Sequence, residues 1–382
     1  MAQNGEVRPM ILLAAGGTGG HLFPAFALAE ELGRRGFVVD LATDMRGDRY
    51  GTGFPARTVH RVPSATLAGR SPIAAAKTAF TLLEGIRVAR RVLRDTQPAA
   101  VVGFGGYPTF PPVLAARLKR IPAALHEQNA VLGRANRMLA RHVDVIATSF
   151  ERTTHVDGDL ARKAKVTGNP VRTAVLEQAQ RPYKASGPDA PFPLLIFGGS
   201  QGASFFAEAL PSALALLAPA LKRRLVVVQQ AREEDAERVR SAYSQGGISA
   251  EVQTFFRDLP RRMADAQLVI GRAGASTIAE LTVIGRPAIL VPLPHAVDND
   301  QLNNARRLAE SGGCWCIEQK NAGPERLARE IAALMEAPDR REAMAKAARS
   351  QGRPDAVERL ADLVEDLAVR RNDRIAPHAN AR

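Results

Sequence analysis

The sequence predicts an α/β fold with parallel sheets. Short apolar segments rich in β-branched residues alternate with longer segments of helical periodicity, which is typical of βαβ units. The chain has 382 residues, about two to three times the length of a usual domain. One strand-and-glycine pattern also occurs twice, near residues 11 and 193. We therefore expect two doubly wound domains, each with a hydrophobic core of its own.

The predicted strands are short apolar segments that are followed by glycine or polar residues. In chain order they cover residues 10–14, 38–42, 100–102, 123–125, 145–147, 194–197, 225–228, 268–270 and 288–291. The longer segments between them carry the periodicity of amphipathic helices. This order predicts that each strand is followed by a helix, as in a parallel sheet.

The internal repeat defines the predicted domain organisation. Residues 11–20 read ILLAAGGTGG and residues 193–202 read PLLIFGGSQG, so each copy places a strand, a glycine turn and a hydroxyl before a helix. Each copy is interpreted as the first βα unit of its own domain. The polar segment 178–193, which contains several prolines, is interpreted as a linker. We expect one domain over 1–168, a second over 169–355, and a charge-rich helical segment over 356–382 with a frayed end.

Composition limits the classes of function. The hydrophobic fraction of 46% and the charged fraction of 24% are those of a globular protein. Lys and Arg number 52 against 39 for Asp and Glu, and the net charge of +13 predicts an anionic partner. Phosphorylated ligands, nucleic acid and an anionic membrane all fit that charge. Nucleic acid fits least, because aromatic residues make up only 5% of the chain and no nucleic-acid-binding module is recognisable.

The sequence predicts a cytoplasmic protein without a membrane-spanning helix. Residues 1–8 are polar and do not have the pattern of a signal peptide. The longest uncharged apolar segment, 209–221, contains prolines and is shorter than the roughly 18 residues that indicate a bilayer span. Cys314 and Cys316 provide neither a disulfide framework nor a full set of zinc ligands, so we expect both to be reduced.

The first glycine motif, GGTGGH at residues 16–21, predicts an anion site. Backbone N–H groups and the helix dipole converge at such a turn. The motif lacks the Lys-Ser or Lys-Thr of a P-loop, and Asp40 and Asp44 are only loosely placed for a dinucleotide fingerprint. His21 lies in the first helical turn, where the dipole disfavours protonation. It is interpreted either as a proton acceptor or as a histidine that caps its own loop.

Two further glycine turns predict anion binding in the second half of the chain. Residues 198–202, GGSQG, carry Ser200, and residues 271–280, GRAGASTIAE, carry Glu280 about one turn into a helix. A carboxylate at that position can accept hydrogen bonds from a ribose diol. The alternative is that Ser276 caps the helix and Glu280 lies on a solvated face. Three such turns in one chain favour a shared nucleotide ligand.

Other polar clusters follow predicted strands. Residues 126–129, HEQN, lie at the carboxyl edge of a sheet, where ligands of α/β proteins gather, and residues 168–172, GNPVR, bring in Arg172. Residues 298–301, DNDQ, are interpreted first as a helix capping box and second as a ligand site. Acidic turns such as 157–159 are more often turns than cation sites, so we expect no metal.

A basic helix is predicted in the segment before residue 95. Four arginines spaced i, i+3, i+4 and i+7 share one face, and an apolar stripe formed by Leu82, Ile86, Ala89 and Leu93 lies on another. Such a helix suits an anionic membrane surface, or it packs its stripe on the core and leaves a solvated basic face. The residues expected to face the membrane are Lys77, Arg87, Arg90, Arg91 and Arg94.

Taken in order, these motifs resemble those of the MurG family, cell-wall N-acetylglucosaminyltransferases that use a lipid-linked acceptor. The matching segments are 16–24, 103–107, 126–129, 168–172, 198–203 and 272–280. The resemblance implies a GT-B fold, in which two Rossmann-like domains face a cleft and the C-terminal helix returns to the first domain. It implies inverting transfer of GlcNAc from UDP-GlcNAc to the 4-hydroxyl of undecaprenyl-diphosphate-MurNAc-pentapeptide. It places a peripheral protein, without a cofactor, at the cytoplasmic face of the inner membrane.

The resemblance also implies the roles of individual residues. His21 is the implied base, with His126 and Glu127 as alternatives. The implied partners are UDP-GlcNAc, the lipid-linked acceptor, an anionic membrane surface and other cell-wall synthesis proteins, but no nucleic acid. The implied UDP-GlcNAc contacts are Thr18, Gly19, Gly20, Asn129, Arg172, Ser200, Phe256, Ala275, Ser276, Thr277, Ile278, Ala279, Glu280 and Gln301.

Two other functions are kept as alternatives. One is a different UDP-sugar enzyme of the same fold, such as an epimerase or a diacylglycerol glycosyltransferase. The other is a non-catalytic subunit that binds a nucleotide sugar. The products formed from UDP-GlcNAc alone identify an epimerase, and donor binding without transfer to any lipid acceptor identifies the subunit.

Overall fold

The chain divides into two compact units. The computed structural model describes residues 9–16, 19–44, 53–65, 72–199 and 204–375. The first unit comprises Met1–Val171 together with Asp355–Arg382, and the second comprises Arg172–Pro354. Each unit contains one parallel sheet of its own, and the two are described separately below.

The sheet of the first unit has seven parallel strands in the order β3-β2-β1-β4-β5-β6-β7. Its central strand β1 is buried at every residue, as expected when helices cover both faces of a parallel sheet. The strands are β1 (Met10–Ala14), β2 (Val38–Thr43), β3 (Thr58–Arg61), β4 (Ala100–Gly103), β5 (Ala123–Glu127), β6 (Val145–Thr148) and β7 (Ala164–Val166).

The sheet of the second unit has six parallel strands in the order β10-β9-β8-β11-β12-β13. Cys314 and Cys316 lie on its edge strand β13 and are free thiols. The strands are β8 (Phe192–Phe197), β9 (Leu225–Gln230), β10 (Ser249–Gln253), β11 (Leu268–Gly271), β12 (Ala288–Leu290) and β13 (Cys314–Cys316).

Helices connect most of the strands and cover the two sheets. The first unit contains α1 (Gly19–Arg34), α2 (Pro72–Thr96), α3 (Phe110–Leu118), α4 (Arg134–Leu139), α5 (Gly158–Lys163) and, from the end of the chain, α15 (Ala356–Ile375). The second contains α6 (Thr173–Ala179), α7 (Ser204–Ala215), α8 (Pro219–Lys222), α9 (Glu233–Gln245), α10 (Leu259–Asp265), α11 (Ala275–Ile284), α12 (Asp300–Glu310), α13 (Pro324–Met335) and α14 (Pro338–Ser350). Short 3-10 turns cover Tyr107–Thr109, Ala140–His142, Val297–Asn299 and Gln319–Asn321.

The core of the first unit has one apolar layer on each face of the sheet. Successive residues of a strand point to opposite faces, so Ile11 and Leu13 pack with α1 and α15, whereas Leu12 packs with α2 and α3. The helix α15 contributes Leu360 and Val364 to the first layer. Arg35, just after α1, donates to Asp362 at 2.6 Å and to Glu365 at 3.2 Å, which adds ion pairs to this packing.

All the strands predicted from the sequence are present, and four further strands are β3, β7, β10 and β13. These four form the two edges of each sheet. Edge strands pair on one side only, and three of them are largely exposed: no residue of β3 or β7 is buried, and β10 buries only Val252. The three-residue β13 is buried at Cys314 and half-buried at its other two residues. A segment that is not buried on both faces lacks the continuous apolar pattern by which the central strands were recognised.

Each sheet has one point at which the strand order reverses, which we call its switch point. It lies between β1 and β4 in the first unit and between β8 and β11 in the second. Ligands of doubly wound proteins bind at the carboxyl ends of the strands beside such a point. In both units the predicted glycine turns follow these strands, so each unit has one candidate site.

Candidate functional site

At the first switch point, a histidine rests on two glycines. The turn after β4 contains Gly105 and Gly106, whose φ angles of 91° and 73° lie in the left-handed region that favours glycine. A Cβ on Gly105 would lie 3.3 Å from Cε1 of His21, and one on Gly106 would lie 3.4 Å from its Cδ2. The two glycines therefore make room for the imidazole, which α1 presents from its first turn.

The first turn of α1 holds the other candidates of this motif. Gly19 and Gly20 begin the helix, and Thr18 lies outside the described residues. His21 is half-buried. Its Nδ1 lies 3.0 Å from Oε1 of Gln128, which follows the end of β5. The candidate base is therefore exposed in part to solvent and tied at one ring nitrogen to the neighbouring strand end.

His126 is connected to His21 through the same glutamine. Nε2 of Gln128 lies 2.9 Å from Nδ1 of His126, and Nε2 of His126 lies 3.0 Å from the carbonyl oxygen of Gly168. Full burial lowers the pKa of His126 to about 4, so this ring is neutral near pH 7. The structure brings both histidines together, but only His21 reaches the surface. Gln128 lay within the HEQN motif, yet its role was not recognised from the sequence.

Glu127 anchors the loop that follows β5. Its buried carboxylate accepts four hydrogen bonds, from the backbone N–H groups of Asn129 and Gly133 and from the amides of Asn129 and Asn136, at 2.8–3.2 Å. Both oxygens are thus engaged by the protein. These hydrogen bonds hold the loop, and with it Asn129, in place.

The second switch point is built from backbone amides. Gly198 and Gly199 follow β8, and Gly199 has a φ of 85°. The N–H of Gly198 donates to Oε1 of Gln230 at 3.3 Å, and Ser200 lies outside the described residues. This contact holds Gly198 at the carboxyl end of β8.

The helix α11 presents a half-exposed N-terminus at the same switch point. Its first intrahelical bond runs from the N–H of Ile278 to Gly274, and Gly274 has no side chain to cap the helix. The N–H groups of Ala275, Ser276 and Thr277 therefore precede the first helical bond. With the helix dipole, they form an environment that favours an anion.

Gln301 ties two loops to this helix end. Its Oε1 accepts from the N–H groups of Ala273, at 3.2 Å, and Leu293, at 3.0 Å. The capping box expected at 298–301 is wrong: α12 begins at Asp300, and both Asp298 and Asn299 have positive φ angles. The chain turns sharply before the helix, so the glutamine side chain reaches back to the strand ends instead of to the helix terminus.

Glu280 and Arg172 form an ion pair in the second unit. Nε and Nη2 of Arg172 donate to Oε1 of Glu280 at 3.1 and 2.7 Å. Burial raises the pKa of Glu280, and Arg172 opposes that effect. Ala279 beside it is half-buried, whereas Ile278 is buried. Glu280 is not the exposed residue of the alternative interpretation, because only 8% of it is accessible.

Phe256 lies in the loop after β10 at the same edge of the sheet. It is buried, and the Arg262 guanidinium lies 4.4 Å from the centre of its ring. Arg262 is itself held by Glu251 and Asp258. One face of the ring is therefore covered by the protein, which restricts how Phe256 can meet a ligand.

The basic helix α2 is anchored by part of its apolar stripe. Ala89 and Leu93 are buried in the core, and Leu82 and Ile86 are half-buried. The opposite face is exposed and includes two apolar residues, Phe80 and Leu83. Also exposed are Lys77, Arg87, Arg90, Arg91 and Arg94. No helix in the described ranges is long and apolar enough to cross a bilayer.

The chain is similar to known glycosyltransferases. Models of the glycosyltransferase family 28 N-terminal and C-terminal domains match residues 11–148 and 193–360. The chain is 53% identical over 362 residues to the UDP-N-acetylglucosamine--N-acetylmuramyl-(pentapeptide) pyrophosphoryl-undecaprenol N-acetylglucosamine transferase of Mesorhizobium japonicum, which covers 94% of this chain and 96% of that relative.

Solved structures of two enzymes are also similar to this chain. The crystal structure of Acinetobacter baumannii MurG is similar with a TM-score of 0.77 and 31% identity, over 94% of this chain and 99% of that one. A UDP-GlcNAc 2-epimerase from Neisseria meningitidis, bound to UDP-GlcNAc, has a TM-score of 0.63 over 94% of this chain and all of that one (100%). At 15% identity, this second likeness shows the fold alone.

Proposed function

Because this chain belongs to the MurG group of glycosyltransferase family 28, we propose that it transfers GlcNAc from UDP-GlcNAc to the 4-hydroxyl of undecaprenyl-diphosphate-MurNAc-pentapeptide. This reaction converts lipid I to lipid II in peptidoglycan synthesis. The observation that carries the proposal is the 53% identity over nearly the whole chain to a transferase of that name. The fold alone does not distinguish transferases from epimerases, but identity at this level does.

We propose that the second unit provides most of the donor contacts. The ribose diol donates to Glu280, and the diphosphate lies against the amides at the start of α11, where the helix dipole favours negative charge. Arg172, now paired with Glu280, supplies a cation beside the diphosphate. Ser200, Gln301 and Phe256 are assigned to the same site, the first through its hydroxyl and the others through the loops they hold.

These groups also assist departure of UDP. When the bond between the anomeric carbon and the phosphate oxygen breaks, its electron pair stays on the diphosphate and positive charge develops on the sugar ring. Amide N–H groups, a helix dipole and a guanidinium stabilise the growing negative charge without moving. The donor site is therefore proposed to act in the transition state as well as in binding.

The first unit is proposed to supply the base. Nδ1 of His21 is engaged by Gln128, so Nε2 is the ring nitrogen left to take the proton of the acceptor hydroxyl. The acceptor oxygen then bonds to the anomeric carbon as UDP leaves from the opposite face, which inverts that carbon. The proton ends on Nε2, and the charge is balanced by the UDP anion. His126 supports this base from within the protein.

The test of the proposed reaction is transfer of labelled GlcNAc from UDP-GlcNAc to lipid-linked MurNAc-pentapeptide, with EDTA present. We expect product with wild type and with the control His142→Ala, whose histidine is exposed and remote in sequence from the motifs. A transferred label is the result that supports the proposal. An altered sugar formed from UDP-GlcNAc alone points to an epimerase, and tight donor binding without transfer to lipid points to a non-catalytic subunit. Either outcome overturns the proposal.

We further propose that α2 contacts an anionic membrane surface. On its exposed face, two apolar side chains precede the four arginines. Phe80 is 68% exposed and Leu83 is 57% exposed. At the angular spacing of an α-helix, these two residues lie within an arc of about 100° that also contains Arg87, Arg90, Arg91 and Arg94. Apolar side chains that enter the headgroup region beside arginines that bind lipid phosphates are typical of peripheral membrane helices.

Vesicle sedimentation tests this surface. We expect binding to phosphatidylglycerol vesicles and weak binding to phosphatidylcholine vesicles. Replacing the four arginines by Gln should abolish the difference, and Phe80→Ser with Leu83→Ser should weaken binding to both. The matched control replaces four exposed cations of the second unit, Arg223, Arg261, Arg329 and Lys346, by Gln, which changes the net charge equally. Equal loss in both charge variants would show that net charge, and not α2, attracts the protein.

A further inference from the structure

The proton positions around Gln128 follow from two backbone carbonyl groups. The first is the carbonyl of His126, which lies 3.0 Å from Nε2 of Gln128. A carbonyl oxygen only accepts, so the nitrogen of the Gln128 amide must face it. The other N–H of this amide then points to Nδ1 of His126, at 2.9 Å. The orientation of the amide is thereby fixed, with its oxygen directed at His21.

The second carbonyl fixes the proton on His126. The carbonyl oxygen of Gly168 accepts from Nε2 of His126 at 3.0 Å, so that nitrogen carries the hydrogen. Its Nδ1 then has a lone pair, which matches the N–H that Gln128 directs at it. Full burial keeps this ring neutral, so no second proton occupies Nδ1 and the lone pair on that nitrogen is retained. The two carbonyl groups thus determine every proton from Gly168 to the oxygen of Gln128.

From this geometry we infer that Gln128 is a positioning residue that fixes the tautomer of His21. Its Oε1 only accepts, so Nδ1 of His21 must carry a hydrogen, at 3.0 Å. The lone pair of the neutral ring is then on Nε2. The two histidines of the site therefore hold opposite tautomers, His21 with Nδ1–H and His126 with Nε2–H. This inference rests on the proposed function only in its consequence for turnover.

Fixing the tautomer matters because a neutral imidazole has one basic nitrogen. A free ring distributes its hydrogen over both nitrogens, and the form with Nε2–H accepts no proton at Nε2. Gln128 also keeps its partner when Nε2 becomes protonated, because Nδ1–H is present in both states of His21. The same amide thus prepares the base and stabilises its conjugate acid, as the carboxylate of a Ser-His-Asp triad does for its histidine.

The decisive measurement is the protonation pattern of the ring nitrogens, read by nitrogen-15 NMR on the full chain at a pH where His21 is neutral. We expect a protonated Nδ1 and a bare Nε2 for His21, and the reverse for His126. Loss of signals in His21→Ala and in His126→Gln assigns the two rings. A hydrogen on Nε2 of His21 would overturn the inference. The pattern is read from the wild-type spectrum, so the test does not depend on whether a Gln128 variant folds.

Two substitutions separate positioning from packing. Gln128→Met keeps the volume but removes the acceptor, so His21 should show a mixture of tautomers and kcat should fall about 10- to 100-fold, with donor KM within twofold. Gln128→Glu keeps an acceptor for His21, replaces the donors to His126 by an oxygen and adds a negative charge, so the Nδ1–H form of His21 should persist. Equal changes in both variants would mean that Gln128 merely packs the strand end.

Controls distinguish this inference from the proposed reaction. Gln245→Met changes an exposed glutamine at the end of α9 and should leave both spectrum and turnover unchanged. If the tautomers are as stated but no lipid acceptor is glycosylated, the proposed reaction fails and the hydrogen-bond assignment stands. If glycosylation occurs and the spectrum of His21 is unchanged by Gln128→Met, the inference fails and the reaction stands.

Discussion

The two switch points occupy equivalent positions in two sheets of the same kind and are built for different chemistry. The first carries the imidazole of His21, which is connected to the buried side chains of Gln128 and His126. The second carries half-exposed backbone amides at the start of α11 and an ion pair between the partly exposed Arg172 and the buried Glu280. The first arrangement suits proton transfer and the second suits an anion. Equivalent topology therefore sets where a site lies, and a few side chains set what it does.

The difference begins in the sequence of the repeated turn. GGTGGH at 16–21 aligns with GGSQGA at 198–203, so the position of His21 is taken by Ala203 in the second copy. The neighbouring strand ends add the rest: β5 is followed by the glutamine that binds the histidine, whereas β11 leads into a helix with no side-chain cap. Each unit thus completes its site with residues from a second strand.

Removal of the base should have the largest effect. We expect His21→Ala to lower the rate of GlcNAc transfer about 10²- to 10⁴-fold, because general base catalysis contributes that much. Donor affinity should change less than twofold, since His21 is not among the residues assigned to the donor. Turnover and calorimetric binding of UDP-GlcNAc measure the two quantities. Wild-type turnover in the variant would remove His21 as the base and with it the division of labour between the units.

The complementary change lies in the second unit. Glu280→Gln should weaken UDP-GlcNAc binding about 10- to 100-fold, because a hydrogen bond to a charged group contributes about 1.5–3 kcal/mol. The spectrum of the His21 ring should stay as in wild type. Glu336→Gln, an exposed carboxylate after α13, is the control and should bind the donor normally. Donor affinity that survives Glu280→Gln would contradict the assignment of the ribose contact.

The pH dependence of donor binding follows from the same carboxylate. Burial raises the pKa of Glu280, so it takes up a proton at a higher pH than an exposed glutamate, whose pKa is about 4.3. Only the ionised form accepts two hydrogen bonds from the diol. Affinity measured by calorimetry should therefore decline, as pH falls, before exposed glutamates titrate, and the decline should be absent in Glu280→Gln.

The sequence predicted the centres of the sheets and the glycine turns better than it predicted the edges and the polar connections. Central strands are apolar throughout because both faces are buried, whereas the edge strands β3 and β10 are mostly exposed and leave no such pattern. In the sites, the residues of the motifs could be named in advance. The roles of Gln128 and Gln301 could not, because each depends on contacts between segments far apart in the chain.

Asp40 illustrates the same limit and gives a stability test of the first unit. In the sequence it is only loosely placed for the acidic residue of a dinucleotide fingerprint. In the structure its buried carboxylate accepts from Arg57 and from His60 of the edge strand β3. Asp40→Ala should lower the free energy of unfolding by about 2 kcal/mol, because charged hydrogen bonds are lost. Urea titration measures this loss. Asp159→Ala, exposed on α5, should change stability by less than about 0.5 kcal/mol.

Acid should remove the contribution of Asp40. Burial works to raise its pKa, but the hydrogen bonds from Arg57 and His60 outweigh burial, and the pKa lies below the ordinary value. A depressed pKa means that the stabilisation is complete above the unfolded value of about 3.9 and is lost as pH falls through the folded pKa. Wild type and Asp40→Ala should therefore begin to converge in stability as pH falls below about 4 and should converge fully below the folded pKa of Asp40. A difference that persists in acid would contradict this account of the edge.

The smallest effect compares two glycines that occupy similar turns. Gly105 and Gly199 have φ angles of 91° and 85°, so alanine at either position should cost about 1 kcal/mol of stability through backbone strain. Their surroundings differ. A Cβ at Gly105 would lie 3.3 Å from the His21 ring and from the Asn136 amide, whereas at Gly199 it meets no atom within 4 Å in the described part of the chain. Only Gly105→Ala should shift the imidazole.

Kinetics should therefore separate two variants that thermal unfolding does not. We expect Gly105→Ala to lower kcat several-fold, because a small misplacement of a catalytic group reduces the rate strongly, and to leave donor KM unchanged. Gly199→Ala should leave kcat unchanged, and any loss it causes should fall on donor KM, because its turn belongs to the unit assigned to UDP-GlcNAc. Equal kcat values for the two variants would mean that the contact between Gly105 and the imidazole does not position His21. The two switch points would then differ in their residues but would require equal accuracy in the placement of those residues.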